Sequence, residues 1–201
     1  MIEGQGCGQY GEDRILALVF RDQPDGYLVD VGAADGSTNS NTVNLLKRPG
    51  WRGLLIEPEQ TQFWKLGDVY RDHPNVAVLN YAISTREGKG LLWCGGQVST
   101  ISPAVKKSAE DSHGTIYTQQ EVQMVTLTRV LSAANCPADF DFLSIDAEGM
   151  DWEVWQSLDK GRFSPKLVCI EGTGYRMEGY YQLCQVGGNT FYIRDDVLPH
   201  L

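Results

Sequence analysis

Five apolar segments alternate with segments of helical spacing along this chain of 201 residues. Val, Ile and Leu dominate the apolar segments without strict alternation, which is typical of strands buried on both faces of a parallel sheet. The apolar segments are residues 27–33, 53–58, 75–83, 141–149 and 166–172, and the helical ones are 40–48, 59–72 and 151–158. The pattern predicts an α/β protein with a doubly wound, mostly parallel sheet and helices on both faces.

Residues 88–127 interrupt this alternation. Several Gly and Ser residues precede the alternating stretch VQMVTL, so we expect a strand, a flexible loop around 95–118 and a second strand. Long polar insertions in compact domains are often lids or binding loops, and a disordered surface excursion is the alternative. With no repeat or linker elsewhere, residues 1–201 are predicted to form one domain with a lid or acceptor loop around 95–120.

Composition and charge argue against a membrane protein and against a nucleic-acid-binding protein. Hydrophobic residues make up 42% of the chain and charged residues 21%, as in ordinary soluble domains. No apolar run reaches the roughly 18 residues that span a bilayer, and the first residues lack a signal-peptide pattern. We therefore expect a cytoplasmic protein without a membrane partner. The net charge of -9 argues against a nucleic acid as the main partner, because phosphate binding favours a basic face.

The stretch YLVDVGAADGSTNSNTVNLL places a carboxylate, Asp30, inside a buried strand. The small residues that follow it are Gly32, Ala33, Ala34 and Gly36. Ligands of doubly wound sheets bind outside the carboxyl ends of the strands, and small residues there let a ligand approach the backbone closely. The third glycine of a dinucleotide fingerprint is missing, and Asp30 and Asp35 would repel a pyrophosphate. S-adenosylmethionine (SAM) fits better, because it carries a sulfonium and an ammonium group.

The second apolar segment supports this interpretation. It ends in Glu57, 21 residues after Gly36. An acidic residue at this place accepts hydrogen bonds from the ribose hydroxyls in Rossmann-type sites. The alternative for Glu57 is an exposed charge at a strand end.

Several motifs in a fixed order carry a resemblance to a known family. They are D-V-G-A-x-x-G at residues 30–36, S-N-T at 40–42, G-W-x-G-x-x-I-E-P at 50–58 and S-I-D-x-E-G at 144–149. From about Gln9 to Glu171 the chain resembles the FkbM family of SAM-dependent methyltransferases, and its GQYGEDRIL opening is similar to that of many members. It departs from the family in reading Asp151 where many members have Glu, and in the region 95–120, which matches nothing.

The resemblance implies a Rossmann-like class I methyltransferase fold and transfer of a methyl group from SAM, usually to a hydroxyl oxygen. It implies a small-molecule or glycan acceptor such as a sugar, a glycolipid-like carbohydrate or a polyketide. The expected cofactor-binding residues are Asp30, Gly32, Ala33, Ala34, Gly36, Asn41, Glu57, Pro58, Asn80, Ala82 and Asp146. Asn41 has helix capping as its alternative role, and Asn80 has a satisfied turn amide.

Asp146 is the first candidate for catalysis, because the resemblance places the reacting methyl group beside the strand end that it follows. A carboxylate there could orient or deprotonate an acceptor hydroxyl. Glu148 and Glu171 are further candidates, with helix N-terminus stabilisation and a strand-end cap as their structural alternatives. His113, in the expected lid, could act as a general base or could be a solvated loop histidine.

No metal site is predicted. The five cysteines have no metal-ligand spacing, and we interpret them as reduced thiols. A divalent cation between Asp146 and Glu171 is kept as an alternative, although a third oxygen ligand is not evident from the sequence. Tyr175, Tyr180 and Tyr181 could line an acceptor pocket or form the core-facing side of a short helix.

Two other functions stay open at this point. A non-catalytic interaction protein could retain the methyltransferase fold, although the acidic and glycine positions would then have no use. A nucleotide-dependent oxidoreductase is disfavoured by the missing third glycine and the acidic loop.

Overall fold

The structure, a computed structural model, describes residues 8–113 and 116–198. The elements in chain order are α1 Glu12–Val19, β1 Asp25–Val31, α2 Val43–Leu46, β2 Gly50–Ile56, α3 Gln60–Val69, β3 Val76–Leu79, β4 Ala82–Ile83, β5 Gly88–Cys94, a 3-10 helix Gly96–Val98, α4 Pro103–His113, β6 Thr118–Val125, α5 Leu127–Ala133, β7 Phe142–Ile145, α6 Asp151–Gln156, β8 Leu167–Glu171, β9 Tyr180–Val186 and β10 Asn189–Arg194. Among these residues no helix combines the length and apolarity needed to cross a bilayer.

The main sheet has seven strands in the order β3-β2-β1-β7-β8-β10-β9. The first five strands are parallel, and β10 runs antiparallel to both β8 and β9. The predicted doubly wound, mostly parallel sheet is confirmed. Strands β4, β6 and β5 form a separate three-stranded sheet.

Helices cover both faces of the main sheet. Neighbouring side chains on a strand point to opposite faces, so each strand contributes residues to two separate cores. Leu28 of β1 belongs to a core that contains residues of α1, α2 and α3, namely Leu16, Leu45 and Leu66. Val29, the next residue, belongs to a second core with residues of α5 and α6, namely Leu127, Val130, Val154 and Trp155. The central strands are therefore shielded from solvent on both faces, which explains their continuous apolar sequence.

The third apolar segment, 75–83, is not one strand. It divides at Asn80 into β3 of the main sheet and β4 of the small sheet. The Asn80 amide donates to the carbonyl oxygens of Glu57 (2.8 Å) and Pro58 (3.0 Å), which fixes the chain at this turn. The expected helix over 40–48 is also shorter, Val43–Leu46, and the Ser40 hydroxyl accepts from the backbone N–H of Val43 at its start.

The prediction of a flexible loop at 95–118 is wrong. Between β5 and β6 the chain forms a 3-10 helix and the 11-residue helix α4. Two ion pairs at i,i+4 spacing, Lys106 with Glu110 and Lys107 with Asp111, lie along α4 and support it. Reciprocal backbone hydrogen bonds between Trp93 and Thr100 close the turn that leads into it. We call residues 95–117 the insertion.

The carboxyl-terminal part of the chain forms a hairpin that the apolar pattern did not reveal. Tyr180 and Tyr181 lie in β9, so the short helix considered for them is wrong. Strand β10 is almost entirely buried and completes the sheet beside β8. Buried Glu12 ties α1 to this strand, because its carboxylate accepts from the Asn189 amide and from the backbone N–H of Tyr10, both at 2.8 Å.

The ends of β1 and β7 approach so closely that Gly32 has no room for a side chain. An ideal Cβ at Gly32 would lie 1.7 Å from the carbonyl oxygen of Asp146, and the φ angle of 84° is in the left-handed region. Both observations require glycine here.

We expect Gly32→Ala to lower the free energy of unfolding by at least about 2 kcal/mol, because overpacking and a strained backbone each cost about 1–3 kcal/mol. Urea denaturation followed by circular dichroism measures this. Gly67→Ala in α3 is the matched control, since its Cβ would meet nothing within 4 Å and should raise stability by about 0.5–1 kcal/mol. Equal stability of the two variants would contradict the close approach.

Candidate functional site

The site lies where the strand order reverses. From β1 the chain moves outwards through β2 and β3, and it later returns to place β7 on the other side of β1. The backbone N–H of Gly32 donates to Ile56 and that of Asp146 donates to Val31, both at 2.9 Å. The carboxyl ends of β2, β1 and β7 are thereby held side by side, which is where doubly wound sheets bind their ligands.

Two cavities open at this edge and share Gly32, Ala34, Asp146 and Glu148. The first, which we call the apolar cavity, is lined further by Val31, Glu57, Pro58, Tyr81, Ala82, Ile83, Leu92, Gly96, Ser99, Ile101, Ala147 and Met150. The second, the polar cavity, is lined further by Gln9, Asp30, Ala33, Thr38, Asn39, Ser40, Asn41, Val98, Ser144 and Asn189. A ligand that crosses the Gly32–Asp146 contact would therefore have one apolar and one polar end.

Most of the cofactor-binding candidates line one or both cavities. Those at the apolar cavity are Gly32, Ala34, Glu57, Pro58, Ala82 and Asp146, and those at the polar cavity are Asp30, Gly32, Ala33, Ala34, Asn41 and Asp146. Gly36 and Asn80 line neither. An ideal Cβ at Gly36 would lie 2.4 Å from Leu66, so this glycine lets α3 pack closely. The Asn80 amide is occupied by the turn described above.

Glu57 is buried at the end of β2 with its carboxylate turned back toward the β1 loop. Its two oxygens accept from the backbone N–H groups of Ala34 (2.9 Å) and Glu59 (2.8 Å). Burial raises the pKa of Glu57 to about 7, despite the lowering effect of these two hydrogen bonds. A carboxylate has about four lone-pair sites, so two acceptor positions are left for a ligand.

Asp30 is buried at the other side of the Gly32–Asp146 contact and borders the polar cavity. Its carboxylate accepts from the Thr42 hydroxyl at 2.7 Å, which ties β1 to the start of α2. Burial raises the pKa of Asp30 to about 6, while hydrogen bonds from Thr42 and Ser144 lower it. The carboxylate in the buried strand thus both holds the loop and faces the cavity.

A second group of carboxylates surrounds the loop after β7. Burial raises the pKa of Asp146 well above its ordinary value, and the charges of Glu171 and Glu148 raise it further. Burial and the charges of Glu171 and Asp151 raise the pKa of Glu148 to about 7. Burial and the charge of Asp151 also raise the pKa of Glu171. Each of these groups is easier to charge when a cation is near.

Asp151 is the site residue that sequence reasoning missed. Its carboxylate accepts from the backbone N–H groups of Ala147 (2.7 Å) and Gly149 (3.1 Å) and so shapes this loop. Carboxylate oxygens of Asp146, Asp151 and Glu171 lie within 4.8 Å of one another. The divalent-cation alternative thereby gains the third oxygen ligand that was not evident, and Mg²⁺ accepts such carboxylates together with water.

The backbone of this loop is strained at Glu148, whose φ angle is 47°. Non-glycine residues in the left-handed region are uncommon and cluster at functional sites. The Thr100 hydroxyl of the insertion donates to the Glu148 carbonyl oxygen at 2.8 Å. The position of Glu148 between the two cavities is thus supported from outside the loop.

The insertion forms one wall of the apolar cavity through Gly96, Ser99 and Ile101. The Ser99 hydroxyl bonds to the carboxylate of Glu59, so the insertion is attached to the end of β2 as well as to the loop after β7. Nothing in the sequence indicated these contacts, because the region matches no motif. His113 ends α4, and its side chain lies outside the part of the chain that the structure describes.

The arrangement selects ligands by charge. Among the described residues that line the two cavities, none is a Lys or an Arg. Buried carboxylates with no Lys or Arg beside them in the described lining disfavour a pyrophosphate and favour a ligand that carries positive charge.

Comparison with known proteins is consistent with this geometry. A sequence model of the Methyltransferase FkbM domain matches residues 30–183. No curated protein matches the chain.

Solved structures match the chain at low sequence identity. The Escherichia coli protein yhhF, a candidate methyltransferase by its description, shares 13% identity over 96% of this chain and 90% of its own, with a TM-score of 0.52. Methyltransferase FkbM from Methylobacillus flagellatus KT shares 14% identity over 74% of this chain and 33% of its own, with a TM-score of 0.47. The N-terminal domain of EvdMO1, solved in the presence of SAH and D-fucose, shares 14% identity over 100% of this chain and 76% of its own, with a TM-score of 0.41. At such identities the first likeness shows a shared fold, and the weaker two add nothing to it.

The pKa of Glu57 generates a prediction about stability. A carboxyl with a raised pKa holds its proton more tightly in the folded state, so its contribution to stability is complete below the unfolded pKa of about 4 and is lost as the pH rises through about 7. We expect the ligand-free protein to lose on the order of 2 kcal/mol between about pH 5 and pH 8 from this group, and Glu57→Gln to flatten the curve.

Urea denaturation at several pH values measures the effect. Glu153→Gln is the matched control: burial raises the pKa of Glu153, but hydrogen bonds from Ser84 and Thr85 outweigh it and lower the pKa, so this group does not titrate in that range. Parallel curves for wild type and Glu57→Gln would contradict the prediction.

Proposed function

Since the chain belongs to the FkbM methyltransferase family, we propose that it takes a methyl group from SAM and transfers it to a hydroxyl oxygen of a carbohydrate or small metabolite. Its sheet is that of the Rossmann-like class I methyltransferase fold, as predicted. The observation that carries the proposal is the pair of unlike cavities that meet at Gly32 and Asp146, lined by carboxylates and by no Lys or Arg among the described residues.

The adenosyl half of SAM matches the apolar cavity. The side chains of Tyr81, Leu92 and Ile101 offer an apolar surface for the adenine ring. Glu57 borders the same cavity, and its two remaining acceptor positions suit the two ribose hydroxyls. A dinucleotide could place a ribose here too, but its pyrophosphate would then lie at the loop after β1, beside Asp30.

The amino-acid half of SAM matches the polar cavity. Hydroxyl and amide groups of Ser40 and Asn41 can donate to its carboxylate, and Asp30 offers negative charge to its ammonium group. Gly32 and Asp146, which line both cavities, would then be the residues next to the sulfonium. Each charged part of the donor faces a group of opposite or complementary character.

The insertion acts as a lid in this proposal. It walls the adenosyl side through Ser99 and Ile101 and is attached to both neighbouring strand ends. Closing it over the donor would exclude water from the transfer and leave the Asp146 side open to the acceptor.

Catalysis then requires that the acceptor oxygen is aligned with the methyl group and that a base accepts the proton of the acceptor hydroxyl. Bound SAM would supply the methyl group from its sulfonium and leave as a neutral thioether, while the acceptor oxygen would gain the methyl group and its hydroxyl proton would pass to a carboxylate of this chain. We assign the base to Asp146, because it directly follows β7 at the contact with Gly32 and its raised pKa makes it a stronger base than a solvated aspartate. Glu148 also borders both cavities and has a raised pKa. Glu148 and Glu171 support it by keeping negative charge beside it. Holding the oxygen in line with the methyl group contributes as well.

Donor binding provides the first test. Isothermal titration should give about one SAM per chain, and Glu57→Gln should weaken binding at least about tenfold, because hydrogen bonds to a charged group contribute about 1.5–3 kcal/mol. Affinity for SAM should rise relative to S-adenosylhomocysteine between about pH 5.5 and pH 8, since only SAM carries the sulfonium that favours ionised carboxylates. Glu153→Gln, outside both cavities, should change neither quantity. Absence of SAM binding by the wild type would overturn the proposal.

Asp146 provides the second test. Asp146→Asn should lower kcat at saturating SAM by about 10²–10⁴, the usual contribution of a general base. The acid limb of the pH–rate profile should disappear with it. Transfer of labelled methyl groups to a panel of sugars and hydroxylated metabolites measures this. SAM binding with no transfer to any acceptor would favour a non-catalytic interaction protein that retains the fold.

A further inference from the structure

Two aromatic side chains stack at the edge of the sheet that carries Asp146. The ring centroids of Trp152 and Tyr175 are 4.9 Å apart and the ring planes differ by 3°. Trp152 lies in the first turn of α6 and Tyr175 follows the end of β8, so the stack joins two separate parts of the chain. Both side chains pack against the core on one side and are only partly buried.

The position of Tyr175 is held by its surroundings. Its backbone carbonyl accepts from the buried Tyr192 hydroxyl at 2.9 Å. Its own hydroxyl lies over Gly172, where an ideal Cβ would come within 2.5 Å of it. The segment after β8 therefore folds back on itself and presents Tyr175 in one orientation.

Carboxylates border the stack. Asp151 directly precedes Trp152 in α6. Burial raises the pKa of Tyr175, and the charges of Asp151 and Glu171 raise it further, which is consistent with a phenol close to both acids. Within the described part of the chain the Glu171 carboxylate accepts no hydrogen bond, and it is only partly buried. Its lone pairs are thus available to a donor from outside.

This combination has a specific ligand chemistry. An aromatic face packs against the C–H face of a pyranose ring, and carboxylates beside it accept hydrogen bonds from the ring hydroxyls. Neutral polyols satisfy such carboxylates without bringing like charge to them, whereas uronic acids and phosphorylated sugars would be repelled. An apolar acceptor would leave the carboxylates without donors, which is costly once water is excluded.

We propose that Trp152 and Tyr175 form the acceptor platform, and that it takes the ring of a neutral sugar whose hydroxyls donate to Glu171. This proposal rests on the methyl transfer proposed above and names the substrate class of that site. Because carboxylate oxygens of Glu171 and Asp146 lie within 4.8 Å of each other, a hydroxyl neighbouring the one held by Glu171 is brought beside Asp146.

Saturation-transfer NMR on protein loaded with S-adenosylhomocysteine tests the platform without needing turnover. The ligands are neutral methyl hexosides, the corresponding methyl uronides, and an apolar cyclohexanol. We expect transfer to the ring C–H protons of at least one neutral hexoside and a signal at least about fivefold weaker for its uronide. Trp152→Ala and Tyr175→Ala should abolish the hexoside signal, while Trp152→Phe and Tyr175→Phe should retain most of it.

Matched controls separate a lost platform from a lost fold. Trp64→Ala and Tyr181→Ala remove aromatic side chains that are 64% and 55% exposed elsewhere on the surface and should leave the hexoside signal unchanged. Glu171→Gln, at a partly exposed position, should weaken it even if an alanine variant of the stack fails to fold. SAM affinity should stay within about twofold of wild type in the folded Trp152 and Tyr175 variants, because these substitutions remove no charge.

The outcomes distinguish the two proposals. No SAM binding by the wild type would remove the proposed function itself. Normal SAM binding combined with no hexoside signal, with a stronger signal from uronides or cyclohexanol, or with signals unchanged by the Trp152 and Tyr175 substitutions would overturn only the platform.

Discussion

The contact between Gly32 and the carbonyl oxygen of Asp146 is the constraint on which the molecule depends. It lets β1 and β7 end side by side, and that closeness divides the edge of the sheet into an apolar and a polar cavity with a common wall. A side chain at Gly32 would push apart the two strand ends that form both cavities. The packing of the sheet and the shape of the candidate ligand site therefore both require a glycine at position 32.

The negative charges of the carboxylates at this edge of the sheet destabilise the folded state and favour binding of a cationic ligand. Burial raises the pKa values of Asp30, Glu57, Asp146 and Glu148, so ionising them costs stability when no cation is present. A positively charged donor would offset part of that cost on binding. Stability without ligand and affinity for a cation are therefore opposed properties of the same side chains, as is common at functional sites.

The insertion connects the two strand ends from outside the sheet. Ser99 bonds to Glu59 after β2, and Thr100 bonds to Glu148 after β7. Its helix α4 is polar and carries ion pairs along one side, so its sequence is hard to distinguish from that of a loop. Its contacts, rather than its composition, give it a defined place over the apolar cavity.

The sequence alone determined the features that depend on neighbouring residues along the chain. The buried strands, the small residues around Gly32 and the acidic strand ends Asp30, Glu57 and Asp146 follow from local patterns of burial, backbone freedom and charge. The tertiary structure decided which distant residues meet. Asp151 joins Asp146 and Glu171, Ser99 reaches Glu59, and Trp152 stacks on Tyr175 because β7 and β8 are neighbours in the sheet. Apart from Asp146 and Asp151, the members of these pairs are far apart in the sequence, and only the packing of the sheet and its insertion brings them within contact distance.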